Sequence, residues 1–412
     1  MQIGAATAEL TQSLGRSPTP RELAESIGCS VEEIVEGVRR GGDEALRDYV
    51  TRFDGGDGSP VRVPAERIDA AGAALRGDVR AGLELAMANV AAVAGASLGD
   101  DAEIELPQGQ RIAVRELPVR RAAIYAPGGR NPYPSTVVMG VVTAQVAGVE
   151  SIAVCAPGAH EVVLGACALL GVDEVYAMGG AHGVAALAYG TESVQRVDVI
   201  AGPGSLYVQE AKRLVSGDVG IDGFLGPSDL LVLAGGDADP ALVAIDLAAQ
   251  AEHGEGTIVA LITDDDALAG AVEDALDGDD TGAAVAVVRV ESLEAGAQVA
   301  DAFAPEHLSL QGASAEALAG RPWQAGCVFV GAAGAVAFGD YVAGSNHSLP
   351  TGGAARFASA LSPRAFRRRM AEVRIGDAAA LARAGAPIAR AEGFRIHAES
   401  MEARVVENGE KP

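Results

Sequence analysis

The stretch RAAIYAPGGRNPYPSTVVMGVVTAQVAGVESIAVCAP, residues 121–157, decides the fold. A short apolar run, RAAIY, ends in a glycine- and proline-rich turn. STVVMGVVTAQVAGV then has the length and composition of a helix, and SIAVC is a second short apolar run. Strand, helix and strand in one compact stretch make a βαβ unit, whose crossover leaves the two strands parallel. The alternation continues through EVYAMGG, a helix at VAALAYG, and VDVIAGPG. A second series begins at DLLVLAGG and runs through ALVAIDLAAQAEHG, TIVALITDD, ALAGAVEDAL, AVAVVRV, EHLSL and CVFVG. Two such series predict an α/β fold with two Rossmann-like parallel-sheet domains, an N-terminal helical segment and an extended C-terminal tail.

Composition narrows the function. The chain has 412 residues, 49% of them apolar, which exceeds one ordinary core and fits two. Its formal net charge of -25 opposes binding to nucleic acid or to anionic membrane surfaces. The start, MQIGAATAELTQ, has no basic leader region, and no later stretch runs to roughly 18 apolar residues, so a cytoplasmic location is expected. The stretch LGRSPTPRELAESIGCSVEEIVEG resembles the two-helix element of sigma factors and other helix-turn-helix proteins. A plain pair of N-terminal helices is the simpler account, and the acidic balance supports it. Cys29, Cys155, Cys167 and Cys327 are scattered and form no Cys-x-x-Cys pair. They read as reduced thiols, and any metal must be held by nitrogen and oxygen.

Four of the six histidines stand in polar clusters: His253 in QAEHG, His307 in APEHL, His347 in GDYVAGSNHSLP and His397 in AEGFRIHAES. Gln250 and His253 are three apart on an expected helix and could reach one ion together, though capping or surface roles fit the pair alone. Asp340 stands where an apolar run gives way to a loop. Glu306 and His307 sit side by side at the mouth of an apolar strand, an unusual place for two titratable groups. Three glycine-rich turns, starting at Tyr125, Ala177 and Ala201, end strands and open helices, where backbone N–H groups can receive phosphates. None matches G-x-G-x-x-G.

Taken together, YAPGGRNPYPSTVVM, AALAYGTESV, GPGSLYVQEAKRLVSGDVGID, GPSDLLVLA, DLAAQAEHG, APEHLSLQ, GDYVAGSNHSLPTGGAARF and AEGFRIHAES resemble the histidinol dehydrogenase family in order and spacing, over roughly residues 35–400. The resemblance implies a zinc ion held by Gln250, His253, Asp340 and His397. It also implies substrate contacts from Ser228, His347 and Glu392, His307 as general base, and Glu306 as the group that activates water. The implied reaction is L-histidinol to L-histidine through an aldehyde, with two hydrides passed to NAD bound near Tyr125, His182 and Ser205. Two positions depart from the family pattern: His182 stands in GGAH where Gln is usual, and Ser205 in GPGS where Asn is usual. Thr143 replaces a common Pro, as in relatives that oxidise other alcohols.

The resemblance further implies a homodimer with shared active sites, the tail 361–412 being exchanged between subunits. The expected division is an N-terminal extension, 1–34; a discontinuous zinc-binding and catalytic domain, 35–119 with 228–360; and an NAD-side domain, 120–227. An NAD-dependent relative acting on another polar alcohol, such as a sulfonated diol, is the nearest alternative. A zinc hydrolase would leave the glycine-rich turns unexplained. A DNA-binding regulator built on a dead enzyme would predict lost catalytic residues, and none is lost.

Overall fold

The computed structural model describes residues 20–128, 131–276 and 281–405. Two compact units are present, one built from the chain up to Ser97 and from Val119–Phe366, the other from Leu98–Pro118 and from Arg367 onward. Residues 1–19, the last six of which open the helix-turn-helix-like stretch, lie outside the described residues, as do Gly129 and Arg130 of the first glycine-rich turn.

The larger unit begins with helices Pro20–Ile27 and Val31–Tyr49. Ser30 caps the second through a reciprocal pair with Glu33, its hydroxyl accepting from the Glu33 amide at 3.1 Å and its own amide donating to the Glu33 carboxylate at 2.7 Å. Val31, Ile34, Val35 and Val38 are buried, while Glu32 and Glu33 face solvent, the wrong sign for a phosphate backbone.

Strands β1 (Ala102–Glu105) and β2 (Gln110–Pro118) come next and belong to the smaller unit. The first parallel sheet follows, from β3 (Arg121–Tyr125), β4 (Ser151–Cys155), β5 (Val175–Tyr176), β6 (Val199–Ala201) and β7 (Gly220–Ile221), in the order β5-β4-β3-β6-β7. The second holds β8 (Asp229–Ala234), β9 (Ile258–Thr263), β10 (Ala284–Arg289), β11 (His307–Gln311) and β12 (Cys327–Val330), in the order β10-β9-β8-β11-β12. Each sheet starts at its centre, grows outward to one side, then returns to build the other. This is the doubly wound plan, with chain direction switching between β3 and β6 and again between β8 and β11. The central strands β3, β8 and β11 are buried at every residue, which is why they read as unbroken apolar runs.

Helices Val31–Tyr49, Ala65–Ala74 and Gly77–Ala96 pack on the first sheet: Ile34, Val38 and Phe53 share a core with Tyr125 and Ile200, and Ile68, Leu83 and Val90 share one with Ile124 and Val138. Sequence assigned this region to the 228–360 layer. An amphipathic helix shows which face it buries but not which sheet receives it. Helix Gly77–Ala96 is long and apolar enough to cross a membrane by length and composition, with hydropathy 1.2; here Leu83, Ala86 and Val90 point into the core.

In the smaller unit, β13 (Arg367–Ile375) pairs antiparallel with β2 from Arg367 opposite Pro118 to Ile375 opposite Gln110, and β1 pairs with the other edge of β2. Helices Ala378–Ala391 and Arg395–Glu402 pack on each other through Ala386, Ala389, Ala398 and Met401.

Candidate active site

Helix Leu293–Phe303 is closed by Ala304 in the left-handed region, at φ 56. Pro305 cannot extend it, so the chain turns straight into β11 and delivers Glu306 and His307 to the amino end of a central strand. Both side chains are nearly fully buried, at 6% and 2% residue exposure, yet both reach a cleft of about 530 Å3 in the larger unit. The opposite wall comes from the carboxyl ends of β3 and β6, with Pro127, Gly128, Pro203, Gly204 and Ser205. Ser228, His253, Asp340 and His347 also line the cleft on the second-sheet side.

The Glu306 carboxylate is held on one oxygen. Its Oε2 accepts from the Ser228 hydroxyl and from the Asp229 amide at 3.1 Å, while the Glu306 amide donates to the Asp229 carboxylate at 2.6 Å. Burial, with the Ser228 bond opposing it and the Asp229 charge adding to it, pushes Glu306 well above the usual carboxylate range. Burial likewise lifts Asp229 and Asp340 to about 6. The His307 ring is driven down to about 3, chiefly by burial, so it is a neutral imidazole. Its Nδ1 has no hydrogen-bond partner and stands 3.6 Å from Glu306 Oε2, too far for a bond.

His347 is held at both nitrogens, Nδ1 lying 3.0 Å from the Asp340 carbonyl and Nε2 3.1 Å from the Thr136 hydroxyl. A carbonyl only accepts, so Nδ1 carries the proton and Nε2 accepts from Thr136. Burial lowers this ring to about 4. Thr136, on helix Pro134–Ala147, thereby ties the first sheet's layer to the second's.

Gln250 lies in the last turn of helix Pro240–Ala251, and its Nε2 donates to Ser228 Oγ at 2.5 Å, leaving the amide oxygen for another partner. The helix stops at Ala251 because Gly254 takes a left-handed turn at φ 84, so His253 stands beyond the helix rather than on its face. Gln250, His253 and Asp340 supply an amide oxygen, an imidazole and a carboxylate, donors suited to a borderline divalent ion. Among the described residues, no three His, Cys, Asp or Glu side chains cluster as a metal site by themselves. His397, on helix Arg395–Glu402, and Glu392 belong to the smaller unit, and both are exposed.

Of the three expected cofactor contacts, Ser205 lines the cleft. Tyr125 is buried, its hydroxyl accepting from the Gly180 amide at 3.0 Å. His182 is fully buried and bonds Asp54 Oδ2 through Nε2 at 2.9 Å; the same oxygen accepts from the Gly179 amide at 2.9 Å. Sequence reasoning missed Asp229 and Thr136. Asp229 reads as a polar residue starting a strand and Thr136 as one position in an apolar helix, and their partners lie 77 and 211 residues away.

A sequence model of the histidinol dehydrogenase family matches residues 18–405. A histidinol dehydrogenase of Leifsonia xyli subsp. xyli is 44% identical over 414 residues, covering 95% of each chain. One of Parasynechococcus marenigrum is 42% identical over 422 residues, covering 97% of this chain and 95% of the relative. The crystal structure of histidinol dehydrogenase from Elizabethkingia anophelis superposes with a TM-score of 0.84 at 30% identity, over 91% of each chain. A buried carboxylate and imidazole at a strand mouth, facing a glycine-rich turn across one cleft, thus sit in a chain alike in sequence and fold to these enzymes, and the chain belongs to the histidinol dehydrogenase family of oxidoreductases.

Proposed function

We propose that this chain oxidises L-histidinol to L-histidine through histidinal, reducing two NAD per substrate, with one zinc ion per site. The observation that carries the reading is the pairing of Glu306 and His307 in one cleft with the Gly204–Ser205 turn. A neutral His307 accepts the alcohol proton as hydride leaves the carbon, giving the aldehyde. Glu306 takes a proton from water as its oxygen adds to that aldehyde, protonated His307 returns the alcohol's proton to the aldehyde oxygen to complete the hydrate, and His307, neutral again, accepts a hydrate hydroxyl proton as the second hydride leaves. A carboxyl with a raised pKa suits a group that must take up a proton and give it away again. With Oε2 occupied by Ser228 and Asp229, Oε1 is the oxygen left for water.

His347 Nε2, an acceptor in this tautomer, suits an N–H of the substrate. Gln250, His253 and Asp340 would hold the metal with His397, and Glu392 would face the substrate's positive charge. We assign His397 and Glu392 to the partner subunit's site in a homodimer, since they lie in a small unit with little core of its own. When bound, zinc would orient the substrate's amino and imidazole nitrogens, and NAD would take up the hydrides. On this reading the first sheet serves the dinucleotide and the second the chemistry, in a cytoplasmic enzyme.

The test is stoichiometry. Zinc-loaded protein given limiting L-histidinol and excess NAD should form about two NADH per alcohol consumed, with activity lost on chelation. One NADH per alcohol, or activity only with another polar alcohol, would overturn the assignment.

A further inference from the structure

Lys212 and Asp222 form an ion pair in the larger unit that the proposed chemistry does not use. Their side chains are 0% and 2% exposed and meet at 2.7 Å. Buried ion pairs seldom add net stability over apolar side chains of similar volume, because desolvation offsets their attraction. This one grips both polar groups of a single residue. Lys212 Nζ donates to the Gly202 carbonyl, and Asp222 Oδ2 accepts from the Gly202 amide at 2.7 Å.

Gly202 is the first residue after β6 and opens the turn that forms one cleft wall. It sits at φ +126, and a Cβ there would lie 2.1 Å from the Tyr125 carbonyl, so its backbone takes a conformation that side chains rarely adopt. Gln209 holds the next part of the turn, its Nε2 donating to the Gly204 carbonyl at 3.3 Å and to the Leu225 carbonyl at 2.7 Å, while its Oε1 accepts from the Leu225 amide at 3.0 Å.

We propose that Lys212 and Asp222 are positioning residues that hold the Gly202–Ser205 turn ready for a dinucleotide before any ligand arrives. The proposal rests on the reading of this cleft as an NAD site. Lys212 on the helix after the turn and Asp222 just past β7 fix Gly202 from outside the turn, so the ordering cost is met on folding rather than on binding. Asparagine at 222 can satisfy only one of the two donors. Either its oxygen faces Gly202 and its amide meets the Lys212 ammonium, or the reverse.

Asp222→Asn should therefore raise the NADH dissociation constant, read by NADH fluorescence, and the KM for NAD by about tenfold. The expected kcat at saturating NAD, KM for histidinol and zinc content stay within about twofold of wild type. A folded variant with unchanged NADH affinity would overturn the proposal, as would one in which kcat falls while KM for NAD holds. Should the variant not fold, hydrogen exchange on the wild-type chain decides the matter. The Gly202 amide should exchange as slowly as those of Ile200 and Ala201 without NADH, and NADH should not slow it further. Protection that appears only with NADH would mean that the ligand orders the turn. Wild-type protein that fails to bind NADH at all would instead remove the nucleotide reading, whatever the exchange shows.

Discussion

The two parallel sheets share one strand order, yet they present opposite ends to the cleft. The first offers the carboxyl ends of β3 and β6, the second the amino ends of β8 and β11. At carboxyl ends, helices begin. Leu206–Val215 starts beside Ser205 and Pro134–Ala147 after Tyr133, so free N–H groups and the positive ends of helix dipoles favour an anionic ligand. At amino ends, helices finish. Pro240–Ala251 closes next to His253 and Leu293–Phe303 just before Glu306, and their carbonyl ends favour cations. One topology used in two senses thus gives a cleft with walls of opposite preference.

Each sheet's other end is structural. At the first sheet's amino end, Asp198 accepts from the Arg120 and Arg121 amides at 3.0 Å, and the Arg121 guanidinium meets Ser151 and Glu174. At the second sheet's carboxyl end, Asp237 accepts from the Ser314 hydroxyl, and Gln311 Nε2 lies 3.5 Å from Asp246.

This contrast breaks if substitutions at the cleft ends and the far ends behave alike. The largest effect should come from His307→Asn, which removes the proposed base at the second sheet's amino end. Steady-state kcat should fall by about 10²- to 10⁴-fold with the KM for NAD unchanged. Next, Glu306→Gln should slow oxidation of supplied histidinal by about 10²-fold while single-turnover oxidation of the alcohol stays closer to wild type. Equal rates on histidinal for variant and wild type would remove the water-activating role.

On the first sheet the expected signature is different. Gly204→Ala puts a Cβ 2.6 Å from the Val208 side chain, and moving the turn should raise the KM for NAD several-fold with little change in kcat. A kcat loss at constant KM would place this turn in the chemical step instead.

The smallest effect is expected at a far end. Burial raises Asp246 to about 6, so its protonated form is favoured in the folded chain, and its contribution to stability is present at pH 4 and lost as pH rises through 6. Two pKa units set a ceiling of about 3 kcal/mol, and relaxation and water penetration around the ionised carboxylate reduce this to about 1. Asp246→Asn should then unfold at higher denaturant at pH 8, match wild type at pH 4, and leave both KM values alone. A variant less stable at pH 8 would show that the Gln311 contact outweighs desolvation.

Much of this was legible in the chain itself. Alternating apolar runs and helices announce both sheets, because strands buried on two faces must be apolar throughout. Glu306 and His307 stand out because ionisable groups rarely open such a strand. Other features leave no local trace. Lys212 lies among Gln209, Glu210 and Arg213 on a helix that reads as ordinary surface, and only the fold brings Asp222 and Gly202 around its ammonium. The destination of residues 31–96 was hidden for a related reason: sequence gives the apolar stripe, while the choice between two similar sheets depends on shape. His182, expected beside the cofactor, is fully buried against Asp54, a partner 128 residues earlier.

The pairing of β2 with β13 also sets a timetable for synthesis. Pro118 leaves the ribosome about 250 residues before its partner Arg367, roughly 12–50 s at ordinary elongation rates. During that interval β1 covers one edge of β2 and the other edge stands open, with Ile112, Val114 and Leu117 in its sequence. A bare strand edge is a template for the same edge on a neighbouring chain, so crowded polysomes are where this protein would be most prone to aggregate. A chain cut after Phe366 would carry that exposed edge permanently, and should sediment as aggregate where the full-length chain does not.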